Sequence, residues 1–147
     1  VSIGDYCVIG RASTIVGHDS IVIGDGVWTG PMVHITDCNH DYHDRTLPIG
    51  WQAMEPEPVR IGDGSWLGHG TIVLPGTTIG RNVTIGANSV VTGDIPDFAV
   101  AVGSPAKVVR RYDAATDEWL AARDAHKALE PNHLDAPLGP LTGLAAR

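Results

Sequence analysis

Between Ile35 and Ile61 the chain reads TDCNHDYHDRTLPIGWQAMEPEPVR, a dense set of groups able to move a proton or bind a metal. His40 and His43 stand three residues apart, with Asp37, Asn39 and Asp44 close enough in sequence to orient an imidazole. An imidazole titrates near ~6.5 and can take a proton from a hydroxyl at neutral pH. A hydroxyl is a weak nucleophile and needs such a positioned base before it can attack a carbonyl. His40 and His43 are the candidates for such a base. Tyr42, Trp51, Met54 and Asp37 are placed to line a pocket beside them. Cys38, His40 and His43 could instead be read as zinc ligands, but their spacing matches no established zinc pattern, and no metal is expected.

What positions this segment is a repeat. From Ile61 to Pro96 the sequence divides into sixes: IGDGSW, LGHGTI, VLPGTT, IGRNVT, IGANSV, VTGDIP. The first position is always aliphatic. The fourth is Gly64, Gly70, Gly76, Asn82, Asn88 or Asp94, residue types that tolerate a left-handed backbone. The fifth is Ser65, Thr71, Thr77, Val83, Ser89 or Ile95, mostly small or β-branched. Each six is one short strand and one tight turn. Alternate strand residues share a face, so the fifth position and the following first position both point inward. Three sixes close a triangular coil, and stacked coils bury aliphatic ladders that no coil could bury alone. Apolar residues recur at six, which excludes a helical period. A β-sandwich has no such fixed period.

The repeat is less clean near the N-terminus. Ile3, Ile9 and Ile15 are in phase, a two-residue shift follows, and IGDGVW from Ile23 echoes IGDGSW. Tyr6, Ala12 and His18 hold fourth positions there, so less regular turns are expected. Cys7, at a fifth position, should be a small core residue. The interruption at 36–60 is then a long loop on a rigid scaffold, where function commonly sits. Pro48, Pro56 and Pro58 argue against a long helix in it. After the coil, Thr116 could cap a short helix with Asp117 and Glu118 in its first turn, ending by Pro131. The tail beyond it is rich in Pro, Gly and Leu. This divides the chain into a coil domain at 1–111, with its insertion at 36–60, and a helix and tail at 112–147.

With 147 residues, 18 Gly and a net charge of −7, the chain has the composition of short strands and turns and carries no basic cluster suited to nucleic acid. No apolar stretch approaches a membrane span. Two cysteines without redox or metal spacing fit a reducing cytoplasm. The chain opens without Met and almost inside a repeat, so further sequence is expected before Val1.

Three segments carry a resemblance: ITDCNHDYHD at Ile35 to Asp44, IGDGSWLG at Ile61 to Gly68, and VTGDIPDFAVAVGSPAKVV at Val91 to Val109. In order and spacing they resemble the hexapeptide-repeat acyltransferases, and most nearly the sugar and antibiotic O-acetyltransferases among them. The resemblance implies an all-β, left-handed parallel β-helix; ordinary parallel crossovers are right-handed. It also implies homotrimers with active sites between subunits, acetyl-CoA as acyl donor, and a sugar or saccharide-precursor hydroxyl as acceptor. His40 matches the family's catalytic base. Trp66, Gly68, His69, Ala87 and Thr92 match residues along the coenzyme path, with Lys107 and Arg110, and less clearly Arg111, toward its phosphates. Gly68 and Gly86 suit a close backbone approach, and a backbone amide near Trp66 to Gly68 is expected to hold the oxyanion. Asp37, Tyr42 and Trp51 are expected at the acceptor. Gly93 stands where many relatives carry Lys, and His69 replaces a smaller residue. Trp28 and Trp66 should both point outward, Trp28 toward a subunit interface and Trp66 toward the coenzyme.

Three rivals are weighed. A γ-class carbonic anhydrase needs a second histidine where Leu74-Pro75 stand. A non-catalytic coil used as a binding module would not need His40, Trp66 and the GSPAK segment together. An N-acetyltransferase acting on an amino sugar would keep the same base and coenzyme roles.

Overall fold

The computed structural model describes residues 1–122. The chain winds as a three-sided coil. The first turn holds β1 (Ser2–Ile3), a bridge at Val8 and β2 (Thr14–Val16); the second holds β3 (Ile21–Ile23), β4 (Trp28–Thr29) and β5 (His34–Thr36). A hairpin of β6 (Cys38–His40) and β7 (Met54–Pro56) then leaves the coil. The third turn is β8 (Val59–Ile61), β9 (Trp66–Leu67) and β10 (Ile72–Val73), and the fourth β11 (Thr78–Ile79), β12 (Thr84–Ile85) and β13 (Val90–Val91). Ile95 and β14 (Ala99–Gly103) begin a fifth. Strands of successive turns pair in parallel into three faces: β1-β3-β8-β11, then β4-β9-β12-β14, then β2-β5-β10-β13. These are called here the first, second and third faces.

The inward positions are those the repeat predicts. Ile61, Leu67, Val73, Ile79, Ile85 and Val91 are buried, and so are all six fifth-position residues from Ser65 to Ile95. Each fully buried Val, Leu or Ile is worth about 1.5–3 kcal/mol. The buried hydroxyls cost little because they are paired: Ser65 donates to the Gly80 carbonyl at 2.9 Å and Thr71 to that of Gly68 at 2.8 Å. Cys7 is half-buried against the same core.

Three expectations change. Tyr6 and Ala12 keep the regular left-handed turn, with φ of 57° and 59°, as do Met32 at 60° and Phe98 at 53°. The coil imposes the turn even where a side chain makes it cost about 1–2 kcal/mol. The insertion is also narrower than 36–60. Thr36 and Asp37 are buried in the coil, and Val59 already pairs with Ile21. At the far end, no break falls at 111. A turn at Ser104-Pro105 reverses the chain into β15 (Ala106–Asp113), antiparallel to β14, and β16 (Glu118–Ala121) pairs with β15 in turn. In place of a helix begun at Thr116 there is a turn, then this strand. The unpaired edge of β15 and the packing of Trp119 on Tyr112, 5.8 Å between rings, outweigh the local capping signal. The rest of the expected helix and the tail lie outside the described residues.

Candidate functional site

The hairpin is built on Asp37. Its carboxylate is fully buried and accepts the backbone N–H groups of His18 (2.8 Å), Asp19 (2.9 Å) and Ser20 (2.9 Å). Those residues form the long corner left by the two-residue shift in the repeat. Burial alone would raise the Asp37 pKa, but the backbone hydrogen bonds outweigh it and hold the carboxyl below its usual range. The Asp37 carbonyl accepts the Glu57 N–H at 2.7 Å and closes the neck of the excursion. Asp37 is therefore a structural anchor. The acceptor contact expected of it is corrected, because both carboxylate oxygens are already engaged.

Above the neck, Cys38 pairs with Pro56, Asn39 with Glu55 and His40 with Met54. The Asp41 N–H extends the ladder to the Ala53 carbonyl at 2.9 Å. Within the tip, Gln52 is buried and does the work of a small core. Its amide oxygen accepts the Asp44 N–H at 3.0 Å, and its NH₂ donates to the carbonyls of Asp44 (2.9 Å) and Leu47 (3.3 Å). His40 ends β6 exposed, and its imidazole makes no hydrogen bond to a described residue. His43 differs. Its Nδ1 pairs with the Asp41 carboxylate, which also accepts the backbone N–H groups of Tyr42 and His43. These bonds, those from His43 first, keep the Asp41 carboxyl below its usual range. The Tyr42 ring stacks on His43 at 4.6 Å. None of the three residues expected to orient His40 hydrogen-bonds to its imidazole. Asp37 is anchored, Asp44 accepts from Thr46, and Asn39 precedes His40 on a strand and so points to the opposite side. Tyr42 and Trp51 project from the tip, 70% and 78% exposed.

A second group of expected residues lies on a different edge. The coil turns from its second to its third face at Gly30-Pro31-Met32, Gly68-His69-Gly70 and Gly86-Ala87-Asn88. The backbone N–H groups of His69 and Ala87 find no acceptor among the described residues, and both residues are exposed. Gly68 is buried, and a Cβ there would come within 2.6 Å of the Ala87 nitrogen, so the stacked coil explains this glycine. Nor is the expected oxyanion donor free at Trp66 or Gly68. Their N–H groups donate at 2.8 Å to the carbonyls of Val83 and Ile85.

On the adjoining second face, Val8, Trp28, Trp66, Thr84 and Val100 form one outward column in register. A β-bulge finishes it. Val100 opposes Arg110 and Val102 opposes Lys107, while Ala101 opposes Val108, leaving Val109 as the extra residue. Three apart on a regular strand, Lys107 and Arg110 would point to opposite sides. The bulge turns both outward above Trp66 and leaves Arg111 opposite the buried Ala99. Thr92 stands apart from this group, at the corner between the third and first faces, on the hairpin's own edge. The site residues thus fall on two edges of one prism. Among the described residues no cluster of three or more His, Cys, Asp or Glu side chains is placed to hold a metal, and none of the helices is long and apolar enough to cross a membrane.

Residues 58–93 match the family described as bacterial transferase hexapeptide (six repeats), and residues 1–28 match hexapeptide repeat of succinyl-transferase. A Mycobacterium tuberculosis protein described as a probable acetyltransferase is 43% identical over 120 residues, 82% of this chain and 40% of that one. The galactoside O-acetyltransferase of Escherichia coli is 40% identical over 100 residues, 68% of this chain and 48% of that one. Among solved structures, a hexapeptide-repeat acetyltransferase from Vibrio cholerae aligns with a TM-score of 0.66 at 32% identity, covering 74% of this chain and 61% of that chain. A maltose O-acetyltransferase from Clostridium difficile aligns at 0.56 and 34% identity, covering 76% and 66%. The chain belongs to the hexapeptide-repeat acyltransferase family. Its fold is the all-β, left-handed parallel β-helix of these neighbours. The Vibrio cholerae protein has also been solved in complex with acetyl-CoA, aligning at 0.65 and 30% identity over 74% of this chain and 58% of that one. The chain spans 40% to 48% of the length of the two curated relatives described.

For this hexapeptide-repeat chain, sequence reasoning missed Gln52, the Asp41–His43 pair and the bulge at Val109. Asp41 two residues before His43 was a usable signal, since a short aspartate readily folds back on nearby N–H groups. Gln52 looks like any loop glutamine in the sequence, because its partners are backbone carbonyls and an N–H.

Proposed function

We propose that the chain is an acyl-CoA-dependent O-acyltransferase that moves an acetyl group from acetyl-CoA to a hydroxyl of a sugar or saccharide precursor. The observation that carries this reading is the edge at His69 and Ala87. Its unpaired backbone N–H groups run beside a column that starts at Trp66 and ends at the Lys107 and Arg110 cations. From Trp66 to those cations is three strand spacings, about 14 Å. A pantetheine arm laid along this edge would meet the N–H groups with its amides and the cations with its phosphates. Gly68 lies beneath this path and Thr92 on the other edge, so Thr92 would meet the coenzyme of a neighbouring copy.

In the reaction, His40 takes the proton of the acceptor hydroxyl as its oxygen attacks the thioester carbonyl. The tetrahedral oxyanion collapses, the C–S bond breaks, and the thiolate leaves and takes up a proton as free coenzyme A. Tyr42 and Trp51 would cover the acceptor. His40 and Trp66 belong to different edges but to adjoining turns of the coil. A ring of copies around an axis parallel to the coil keeps those heights equal, so one copy's hairpin can reach the next copy's open edge. A homotrimer is the assembly this reading takes. The free thiols of Cys7 and Cys38 suit a reducing cytoplasm.

The test is thiol release from acetyl-CoA with a panel of sugars and hydroxylated antibiotics. Acceptor-dependent release falling about 10²–10⁴-fold in His40→Ala, at unchanged melting temperature, is expected. Release unchanged in that variant would remove His40 as the base and favour His43. Transfer only to amino sugars would favour N-acylation, and neither release nor coenzyme A binding would favour a binding module.

A further inference from the structure

We propose that Trp28 limits the length of the acyl group this chain accepts, confining it to short-chain thioesters. The inference rests on the coenzyme path proposed above. If the phosphates sit at Lys107 and Arg110 and the thioester at Trp66, an acyl chain continuing in the same direction meets the next residue of the same column. That residue is Trp28, in direct register with Trp66. One strand spacing separates them, about 5 Å. A polyatomic chain advances roughly 1.3 Å per bond, as the backbone does over its three bonds per residue, so this gap holds about four bonds. An acetyl group fits within it; a chain of about six carbons or more runs into the indole.

Bulk is concentrated where the chemistry would be. The column reads Val8, Trp28, Trp66, Thr84, Val100, with its two indoles on the two turns that flank the exit of the hairpin. Strand β4, which carries Trp28, and β5, which runs into the hairpin, belong to the same turn. Trp28 is therefore level with the root of the segment that presents His40. Within one copy its side chain points outward, 47% exposed beside Trp66 at 50%. Core packing does not account for it, because the buried residue of β4 is Thr29.

Binding of unmodified coenzyme A, S-ethyl-CoA and S-octyl-CoA to the full chain tests this by calorimetry, since thioethers are not turned over. The natural chain should bind S-ethyl-CoA at least tenfold more tightly than S-octyl-CoA. In Trp28→Ala that ratio should fall by about tenfold, and in Trp28→Phe, which keeps an apolar aromatic surface, by less. The ratio of kcat/KM for acetyl-CoA over octanoyl-CoA should move in parallel. A ratio unchanged within twofold in both variants overturns the proposal while leaving the coenzyme reading intact. Failure of the natural chain to bind coenzyme A overturns both.

Discussion

Two edges of the prism differ in how they treat the same backbone group. Where the first face turns into the second, three corner N–H groups are capped by side chains from the next turn, and that of Asp63, below Arg81, finds no acceptor among the described residues. Asp5 N–H donates to Asp25 at 2.8 Å, Asp25 to Asp63 at 2.9 Å, and Arg81 to Asp97 at 2.8 Å. Where the second face turns into the third, the equivalent positions are Pro31, His69 and Ala87. Proline has no N–H, and those of His69 and Ala87 stay unpaired within the described residues. One edge is largely closed by a carboxylate ladder, and the other has none. A repeat makes all its corners alike in backbone, so function has to enter through which corners are left unsealed.

The largest expected effect lies at the third edge, where the hairpin is rooted. Asp37→Ala removes three backbone hydrogen bonds at once. A loss of about 2–3 kcal/mol is expected, along with the placement of His40, both read by thermal melting and thiol release. The effect depends on pH. A carboxyl held below its ordinary value of about 3.9 contributes fully above that pH, and the contribution fades as pH falls through the lower folded value. The difference in stability between the natural chain and Asp37→Ala should therefore shrink below about pH 4 and be full at pH 7.

A matched pair of variants can break the comparison of the two edges. Ala87→Pro deletes one donor at the position that Pro31 holds on the same edge two turns earlier, so the fold should accept it. The KM for acetyl-CoA should rise about five- to tenfold with no loss of melting temperature, the worth of one hydrogen bond. Asp63→Ala should do the opposite, costing about 1 kcal/mol of stability with KM unchanged. If both variants moved KM equally, the contrast between sealed and open edges would carry no functional meaning. The smallest effect sharpens the backbone argument. Met32, exposed at φ 60°, should gain about 1 kcal/mol on Met32→Gly, seen as a rise in melting temperature.

The coil was legible in the sequence because a six-residue period states which residues face inward, and Ile61 through Ile95 obey it. The turns at Tyr6 and Ala12 were not, since a stacked neighbour can force a conformation that the local residue disfavours. The role of Asp37 was hidden for a similar reason. The phase shift between Ile15 and Ile23 marked a corner with extra N–H groups, but not the residue that would cap them. Lys107 and Arg110 were found as a pair by their position after GSPAK, while the bulge that brings them to one side depends on the register with β14. The C-terminal strand was missed because a strand edge nearby overrode the helix signal at Thr116.

The central claim is that the hairpin of one copy and the open edge of the next form one reaction centre. Co-refolding two inactive variants, His40→Ala and Trp66→Ala, tests it most directly through acceptor-dependent thiol release. If the two groups come from different copies, a random mixture regains about a quarter of the natural activity, because one junction in four pairs an intact hairpin with an intact edge. A mixture as inactive as either variant alone would contradict the account.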